Sequence, residues 1–423
     1  MTTIRSAEII AVGSELLTPT RLDTNSLVLT NQLNALGIDV RLKTIVGDSR
    51  DDLRGVLSQA VTRSDLVVLS GGLGPTDDDV TRDVVAELLS RPLAEDGELV
   101  ARLQTRFAKR GLDMPAINRR QAMVPAGAEV LPNPNGTAPG LWLEHKGCVI
   151  VLLPGPPREL TPMFEAVSRE RLAARAEGVP LLRGIVRVAG QTESHAEQRA
   201  KPFYERWRER GVPIDATTLA APASIDFHLT VRSPDREAGR RVLDEAVGEL
   251  AAAFGTDAYA TEDRGMEHVV GQALRTSGLT VAVAESCTGG LLGSRLTDVP
   301  GSSAYFLYGI VAYSNQAKQD LLGVDAALIE AHGAVSEPVA LAMAGGVRRR
   351  AATSIGIGVT GIAGPDGGTA DKPVGTVAIA VEGPWGAAVR TRTFPGGREQ
   401  VKFFATQAAM DDLRRALLQR RGQ

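Results

Sequence analysis

The stretch Leu66-Val-Val-Leu-Ser-Gly-Gly-Leu-Gly-Pro-Thr-Asp-Asp-Asp79 decides the fold of the first part of the chain. Its apolar residues predict a buried strand, and the glycines that follow predict a loop whose backbone can approach a ligand closely. Further strand candidates at 7–12 and 40–46 alternate with helical patterns at 25–36 and 51–63. A chain in which strands and helices alternate predicts a parallel sheet that binds ligands at the carboxyl ends of its strands.

Three consecutive carboxylates, Asp77–Asp79, end this glycine-rich loop. A flexible backbone beside carboxylate oxygens suits a phosphorylated ligand together with a divalent cation. The segment Asp23-Thr-Asn25 and Asp48 are expected to add polar groups at neighbouring strand ends. The rigid loops Asn133–Gly140 and Pro154–Glu159 are expected to form walls of the same cleft. A solvated acidic turn that caps the next helix is the alternative, and the preceding glycines favour the ligand-binding interpretation.

A second informative stretch, Ala284-Glu-Ser-Cys-Thr-Gly-Gly290, follows a strand candidate at 279–284 and precedes a helical pattern that begins at Leu291. It presents a serine hydroxyl, two glycines and the unpaired N–H groups of the helix to one space. Such a turn can hold an oxyanion or a phosphate, or it can present a nucleophile. Capping of the helix by Ser286 and Thr288 is an equally good interpretation of this stretch taken alone.

Two further motifs favour a catalytic site. In Tyr313-Ser-Asn-Gln-Ala-Lys318 the lysine ammonium can stabilise a tyrosine phenolate, so that the pair can take the proton of a serine. An ordinary helix start with a solvated lysine is the alternative. The run Gly358-Val-Thr-Gly-Ile-Ala-Gly-Pro-Asp-Gly-Gly368 follows an apolar strand pattern, which is typical of a ligand loop and not of a linker.

The composition excludes several classes of function. The chain of 423 residues has a net charge of −3 and no basic stripe interleaved with aromatic residues, which argues against direct nucleic-acid binding. Cys148, Cys287 and five scattered histidines match no metal-ligand spacing. No apolar run approaches the roughly 20 residues of a membrane span, and the N-terminus does not have the pattern of a signal peptide. We therefore expect a cytoplasmic protein without membrane association.

The C-terminal motifs, in their order, resemble those of the nicotinamide mononucleotide deamidase domain. They are Ala-Glu-Ser-Cys-Thr-Gly-Gly, Tyr-Ser-Asn-x-x-Lys, Gly-Ala-Val-Ser (333–336) and Thr-Gly-Ile-Ala-Gly-Pro (360–365). The resemblance implies hydrolysis of the nicotinamide carboxamide to nicotinate mononucleotide and ammonia, with no cofactor. It implies Ser286 as the nucleophile, activated by Tyr313 and Lys318, although the neighbouring Cys287 is chemically the better nucleophile. The implied substrate-binding residues are Thr288, Gly289, Gly290, Asn315, Thr360, Gly361, Gly364 and Arg398.

The N-terminal motifs resemble a molybdopterin-adenylyltransferase-like domain in the version found in the competence/damage-inducible protein A (CinA) family. They are Gly-Ser-Glu-Leu-Leu (13–17), Asp-Thr-Asn (23–25), Val-Gly-Asp (46–48), Gly-Gly-Leu-Gly-Pro-Thr-Asp-Asp-Asp (71–79), Gly-Thr-Ala-Pro-Gly (136–140) and Pro-Gly-Pro-Pro-Arg-Glu (154–159). The resemblance implies a metal-dependent ADP-ribose pyrophosphatase that forms AMP and ribose 5-phosphate. A divalent cation would neutralise charge on the pyrophosphate oxygens.

The same resemblance assigns roles to individual residues. The implied metal ligands are Asp77, Asp78, Asp79, Asp23 and Asp48, and the implied substrate contacts are Gly71, Gly72, Gly74, Thr76, Asn25, Gly155 and Glu159. Pro19 stands near a position where the family usually has a glycine, so the entrance of this pocket is expected to differ.

Both sets of motifs together match the CinA family over nearly the whole chain. They predict an α/β protein with a molybdopterin-adenylyltransferase-like parallel-sheet domain (1–172), a small α+β domain (173–262) and a C-terminal α/β sandwich amidase domain (263–423). The expected protein is a homodimer joined through its middle domain and a bifunctional hydrolase of pyridine-nucleotide salvage. Two alternatives remain: an adenylyltransferase of molybdenum-cofactor assembly in the first domain, or an accessory protein of competence or DNA repair that acts through a protein partner.

Overall fold

The computed structural model describes residues 3–421, and the chain divides into two units. One unit comprises residues 1–182 and 231–240, and the other comprises residues 183–230 and 241–423. Most of the predicted middle domain (173–262) therefore lies in the same unit as the predicted C-terminal domain. That the middle domain folds separately stays a prediction. None of the helices within residues 3–421 is long and apolar enough to cross a membrane.

The first unit consists of strands that alternate with helices, as its sequence predicts. Its strands are β1 (Ser6–Val12), β2 (Asp39–Val46), β3 (Leu66–Ser70), β4 (Leu93–Glu95), β5 (Met123–Pro125), β6 (Glu129–Leu131), β7 (Gly140–His145) and β8 (Cys148–Leu153). Its helices are α1 (Asn25–Ala35), α2 (Arg50–Arg63), α3 (Thr81–Leu88), α4 (Gly97–Ala108) and α5 (Pro157–Val167). Strands β4 and β5 pair with each other, and the others form one sheet in the order β2-β1-β3-β8-β7-β6.

This main sheet is parallel only in part. Strands β2, β1, β3 and β8 are parallel, whereas β7, near one edge, pairs antiparallel with both β8 and β6. The reversal occurs at Lys146 and Gly147, which both have positive φ and join β7 to β8 in a two-residue turn. Tight hairpins of this length favour positive φ at both turn residues. The predicted parallel sheet is thus confirmed for its central strands and corrected at this edge.

The central strands of this sheet are covered on both faces. Val67 and Leu69 of β3 pack in one apolar core, and Leu66 and Val68 pack in the other. Successive side chains of a strand point to opposite faces, so a strand covered on both sides is apolar at every position. This burial explains the continuous apolar run before the glycine-rich loop.

The second unit carries two sheets. The first of them has the order β10-β11-β9-β12. It is formed by β9 (Leu181–Val188), β10 (Ile214–Ala221), β11 (Ser224–Arg232) and β12 (Ala258–Ala260), with helices α6 (Glu193–Glu209) and α7 (Arg236–Phe254). The start of β9, the end of β11 and the start of α7 are counted with the first unit. The second has the order β14-β13-β15-β16-β17. It contains β13 (Val281–Glu285), β14 (Phe306–Val311), β15 (Ile355–Gly361), β16 (Thr376–Gly383) and β17 (Gly386–Thr393).

Helices cover both faces of this second sheet. They are α8 (Met266–Ser277), α9 (Leu291–Thr297), α10 (Asn315–Leu322), α11 (Ala326–His332), α12 (Glu337–Ala351) and α13 (Arg398–Arg421). Val281 and Val283 of β13 pack in the core shared with α8 and α13, whereas Ala282 and Ala284 pack towards α12. The C-terminal α/β layers expected from the sequence are therefore present.

Small residues bring α12 unusually close to the sheet. A Cβ atom placed on Gly356 would lie 2.1 Å from the carbonyl oxygen of Ala344, and one on Gly358 would lie 2.2 Å from that of Ala340. Since these separations are far below van der Waals contact, only glycine fits at either position. The close packing fixes α12 against β15, the strand that leads into the second glycine-rich stretch, Gly358–Gly368.

Candidate active site

The turn after β13 holds Ser286 at the carboxyl end of the sheet. The Ser286 amide donates to the Val359 carbonyl of β15 at 2.9 Å, which ties the turn to the neighbouring strand. Gly289 and Gly290 follow with φ of 60° and 94°, values that favour glycine. The serine side chain is mostly buried, with the residue 7% exposed. The sequence therefore places one hydroxyl at a defined position beside a buried strand.

The carboxylate of Glu285 caps the helix that follows this turn. It accepts hydrogen bonds from the amides of Gly290 (3.1 Å), Leu292 (3.0 Å) and Gly293 (2.8 Å). The prediction that α9 directs unpaired N–H groups into the ligand space is therefore wrong, because the protein's own carboxylate takes them. Neither Ser286 nor Thr288 makes a side-chain cap, so the capping alternative is wrong as well. A carboxylate is favourable at a helix N-terminus because it accepts from amides that have no partner within the helix.

Lys318 lies beside the serine. Its Nζ atom is 3.2 Å from Ser286 Oγ and also donates to the backbone carbonyls of Ala312 (3.2 Å) and Tyr313 (3.4 Å). The lysine is 2% exposed, which excludes the solvated-lysine interpretation. Burial lowers the pKa of its ammonium group, because desolvation disfavours the charged form. A lysine in this position can act as a base towards the serine hydroxyl.

Tyr313 hydrogen-bonds an arginine at this site through its hydroxyl. Its hydroxyl accepts a hydrogen bond from Arg398 Nη2 at 2.9 Å, and the residue is 61% exposed. Arg398 also donates from Nη1 to the Gly364 carbonyl at 2.9 Å. Lys318 contacts only the backbone of Tyr313. A direct role of the phenol in activating Ser286 stays a prediction, while Lys318 makes the contact itself.

Cys287 is poorly suited to nucleophilic attack. It is 5% exposed, and burial raises the pKa of its thiol to about 12. Since the thiolate is the reactive form, a thiol of this pKa remains protonated at neutral pH. The geometry therefore favours Ser286 over its neighbour, in agreement with the sequence-based preference.

The remaining predicted residues of this site lie around the same strand ends. Thr360 is buried and donates to the Ala334 carbonyl at 2.8 Å. Lys372, to which the sequence assigned no role, donates to the His332 and Val335 carbonyls at 2.9 and 2.8 Å, so both side chains anchor the 333–336 loop. Thr288 is fully buried with a hydroxyl that has no partner within the described chain, and Asn315 is exposed at the start of α10.

Two backbone amides of buried residues next to Ser286 have no oxygen acceptor in the described chain. Among residues 3–421, the amides of Cys287 and Thr288 donate to no oxygen acceptor. They directly follow the serine, in a turn whose other amides are engaged. Amides in such a position can stabilise an oxyanion that forms beside the nucleophile. The sequence did not reveal this pair, because it depends on which amides Glu285 takes.

A cleft of about 370 Å³ lies at the strand ends of the first unit. The predicted residues that line it are Gly71, Gly72, Gly74, Asp48, Asp78, Asp79, Gly155 and Glu159. Thr137 belongs to the predicted wall loop 133–140, and Glu15 lies in the 13–17 motif without an assigned role, whereas no sequence pattern indicated Gln121. Asn25 donates from Nδ2 to the Gly155 carbonyl at 2.7 Å, while its Oδ1 is buried without a partner in the described chain. The predicted glycine-rich loop and the Pro/Gly loop thus do form one cleft.

Three of the five predicted metal ligands, Asp48, Asp78 and Asp79, line this cleft, but the five form no ligand set. Asp79 accepts from the amide of Thr76 (2.9 Å), Asp77 is fully exposed and pairs with Arg120 (2.8 Å), and Asp48 accepts from the Ser14 amide (2.9 Å). Asp23 hydrogen-bonds Ser26 at the start of α1. Within the described chain, no three acidic, histidine or cysteine side chains are grouped so as to hold a metal ion. These residues therefore do not fit a preformed metal centre.

Comparisons with known proteins cover both sites. The model "CinA C-terminal domain" matches residues 263–417, and the model "Probable molybdopterin binding domain" matches residues 8–174. A CinA-like protein of Koribacter versatilis is 45% identical over 416 residues, which cover 97% of this chain and 100% of that protein. A CinA-like protein of Solibacter usitatus is 45% identical over 97% of this chain and 98% of its own length. The crystal structure of the competence/damage inducible protein CihA of Agrobacterium tumefaciens is 38% identical, with a TM-score of 0.35, over 38% of this chain and 99% of that one.

Proposed function

Because the chain belongs to the CinA family, we propose that its C-terminal region is an amidohydrolase that converts nicotinamide mononucleotide to nicotinate mononucleotide and ammonia. The observation that supports this most directly is the 3.2 Å contact between Lys318 Nζ and Ser286 Oγ. The buried lysine supplies a base, and the adjacent hydroxyl supplies a nucleophile. The chemical class of substrate comes from the family resemblance.

The proposed reaction begins with the neutral amine of Lys318. It takes the proton of Ser286 as Oγ attacks the carboxamide carbon, and the amides of Cys287 and Thr288 stabilise the oxyanion that forms. Lys318 then returns the proton to the departing nitrogen, which leaves as ammonia with formation of an acyl ester on Ser286. A water molecule, deprotonated by the same lysine, hydrolyses the ester and releases the carboxylate product. Lowering of the lysine pKa by burial favours the neutral amine on which the first step depends.

Ammonia release in the presence of EDTA tests this proposal. The wild-type protein is expected to release ammonia from nicotinamide mononucleotide, whereas Ser286→Ala is expected to release none. Ser294→Ala, which removes an exposed hydroxyl from the neighbouring helix α9, is the matched control and is expected to behave as wild type. Equal release from wild type and Ser286→Ala would exclude this nucleophile and turn attention to Cys287. No release from the wild type would refute the proposal.

We propose a second activity, hydrolysis of ADP-ribose to AMP and ribose 5-phosphate, for the cleft of the first unit. The observation that favours it is the meeting of the glycine-rich loop with Asp48, Asp79 and Glu159 at one set of strand ends, where phosphorylated ligands bind in open α/β sheets. The requirement for a divalent cation stays a prediction, because the described carboxylates form no ligand set. No step of this reaction is therefore assigned to a metal.

Formation of AMP from ADP-ribose, measured with added magnesium and with EDTA, tests the second activity. Asp48→Asn is expected to reduce the rate, and Asp51→Asn, which changes an exposed carboxylate at the start of α2, serves as the control. Adenylylation of molybdopterin by ATP, without hydrolysis of ADP-ribose, would instead favour the adenylyltransferase alternative.

A further inference from the structure

Lys402 lies on α13 and faces the turn that carries the nucleophile. Its Nζ atom is 3.8 Å from the position that a Cβ on Gly289 would occupy. Gly289 is part of the same turn as Ser286, and the two are joined by a hydrogen bond from the Gly289 amide to the Ser286 carbonyl at 3.1 Å. A positive charge therefore stands next to the turn, on the side where Gly289 has no side chain.

This ammonium group has no counter-charge in the described part of the chain. Among residues 3–421, Lys402 Nζ makes no hydrogen bond, and no carboxylate lies within the 4.0 Å that defines an ion pair. The lysine is partly buried, so water solvates the charge less fully than at an exposed position. The other two lysines near the site each donate to backbone carbonyls, Lys318 to two and Lys372 to two. Lys402 is thus available for an anion.

Within the described chain the neighbouring Arg398, unlike Lys402, makes hydrogen bonds to two loops. Arg398 lies one helical turn before Lys402, and its two terminal nitrogens donate to the Gly364 carbonyl and the Tyr313 hydroxyl. These bonds join two loops that flank the turn. Arg398 uses one donor of each terminal nitrogen to position these loops and adds positive potential, while Lys402, without a partner among residues 3–421, has all its donors free for a ligand.

We propose that Lys402 binds the phosphate monoester of the mononucleotide substrate. The inference rests on the proposed deamidase function, because it assumes that the carboxamide lies at Ser286. The carboxamide and the phosphate are at opposite ends of this substrate, so the group that binds phosphate must be separate from the base that serves the serine. An ammonium that donates to a phosphate oxygen forms a charge-assisted hydrogen bond, which is stronger than a neutral one. Lys402 then selects phosphorylated substrates over the corresponding nucleoside.

The test compares two substrates that differ only in the phosphate. Wild type, Lys402→Gln and Lys402→Arg are assayed for ammonia release from nicotinamide mononucleotide and from nicotinamide riboside. Lys402→Gln is expected to raise KM for the mononucleotide by about 10- to 100-fold, the effect of one hydrogen bond to a charged group. It should leave kcat for the mononucleotide and kcat/KM for the riboside close to those of wild type. Lys402→Arg is expected to restore most of the affinity, and Lys201→Gln, on the exposed side of α6, is the charge-matched control.

Two results would overturn the assignment. An equal loss on both substrates would show that Lys402 only supports the structure, and no loss on either would show that it does not contact the phosphate. Calorimetric binding of inorganic phosphate to wild type and Lys402→Gln tests the site without catalysis. A wild type that hydrolyses neither substrate but binds phosphate through Lys402 would refute the deamidase and retain the phosphate site. Equal phosphate binding by the two proteins would refute the site itself.

Discussion

Replacement of Lys318 by methionine tests the central contact of the proposed deamidase. The substitution keeps an unbranched side chain of similar length in a position that is 2% exposed, and it removes the group 3.2 Å from Ser286 Oγ. Loss of a positioned general base typically costs about 10²- to 10⁴-fold in rate. We expect kcat/KM for nicotinamide mononucleotide to fall within this range, which corresponds to about 3–5 kcal/mol of the activation barrier.

The effect of Lys318→Met on stability should be much smaller. The carbonyls of Ala312 and Tyr313 lose a donor, at a cost of about 0.5–1.5 kcal/mol each. Removal of a buried ammonium group offsets part of this cost, because burial disfavours the charged form. The free energy of unfolding should therefore change by less than about 2 kcal/mol, so that thermal unfolding separates the catalytic loss from a folding defect.

The pH dependence of kcat/KM distinguishes a base from a structural lysine. Burial lowers the pKa of Lys318, and the neutral form is the active one. Activity should therefore rise with pH and level off below the ordinary lysine value of about 10.4. Lys372→Met, which also removes a lysine that donates to two backbone carbonyls, is the matched control and should keep this profile. Wild-type activity in Lys318→Met, or an unchanged pH profile, would refute the role of Lys318 as base.

Three further substitutions test other parts of this unit. Cys287→Ala should keep activity within a few-fold of wild type. In the wild type, mass spectrometry should show that Cys287 resists alkylation by iodoacetamide at pH 8, because burial raises the pKa of its thiol to about 12. Rapid alkylation, or loss of turnover in the variant, would contradict this. Glu285→Gln should lower the urea midpoint of unfolding by an amount equivalent to about 2 kcal/mol, because a charged acceptor of three amides becomes neutral. An unchanged midpoint would show that the carboxylate charge does not contribute to stability. Gly358→Ala should lower the Tm, because the new Cβ would lie 2.2 Å from the Ala340 carbonyl oxygen. The expected loss of unfolding free energy is about 1–3 kcal/mol. An unaltered Tm would mean that α12 can move away from β15 without loss of stability.

The elements with a regular pattern could be predicted from the sequence. Helices α1 and α2 lie within one residue of the predicted helical patterns 25–36 and 51–63, and strands β1 and β2 lie within one residue of the predicted strands 7–12 and 40–46. Strand β14 was not predicted, because it lies at the edge of the sheet and exposes Leu307 and Tyr308. Without one buried face, its side chains show no alternation that could indicate a strand.

Helix α12 was missed for a different reason. It contains Gly345 and Gly346, which lower helix propensity. A Cβ on Gly346 would lie 2.1 Å from the Leu322 carbonyl oxygen, so glycine is present because of tertiary packing and not because of local preference. Short-range sequence patterns do not contain this information.

The residues of the candidate site could be named more reliably than their partners. The motifs identified Ser286 and Lys318, and the structure brings these two together. They did not show that the lysine contacts the serine directly while the Tyr313 hydroxyl binds Arg398. Nor did they show the role of Glu285, which in sequence is only the last residue before the turn. Such details depend on side-chain directions that spacing along the chain does not determine.

The order in which the ribosome makes these elements has a consequence for the cell. Helix α13 follows every other element of the C-terminal sheet in sequence, and it supplies both Lys402 and core residues such as Val401 and Leu413. At a synthesis rate of about 5–20 residues per second, several seconds separate the appearance of Ser286 from that of α13. During this interval the face that α13 shares with α8 is only partly covered, and the apolar side chains that α13 will bury favour binding by chaperones. Any hydrolytic activity that depends on Lys402 can therefore appear only after α13 has docked.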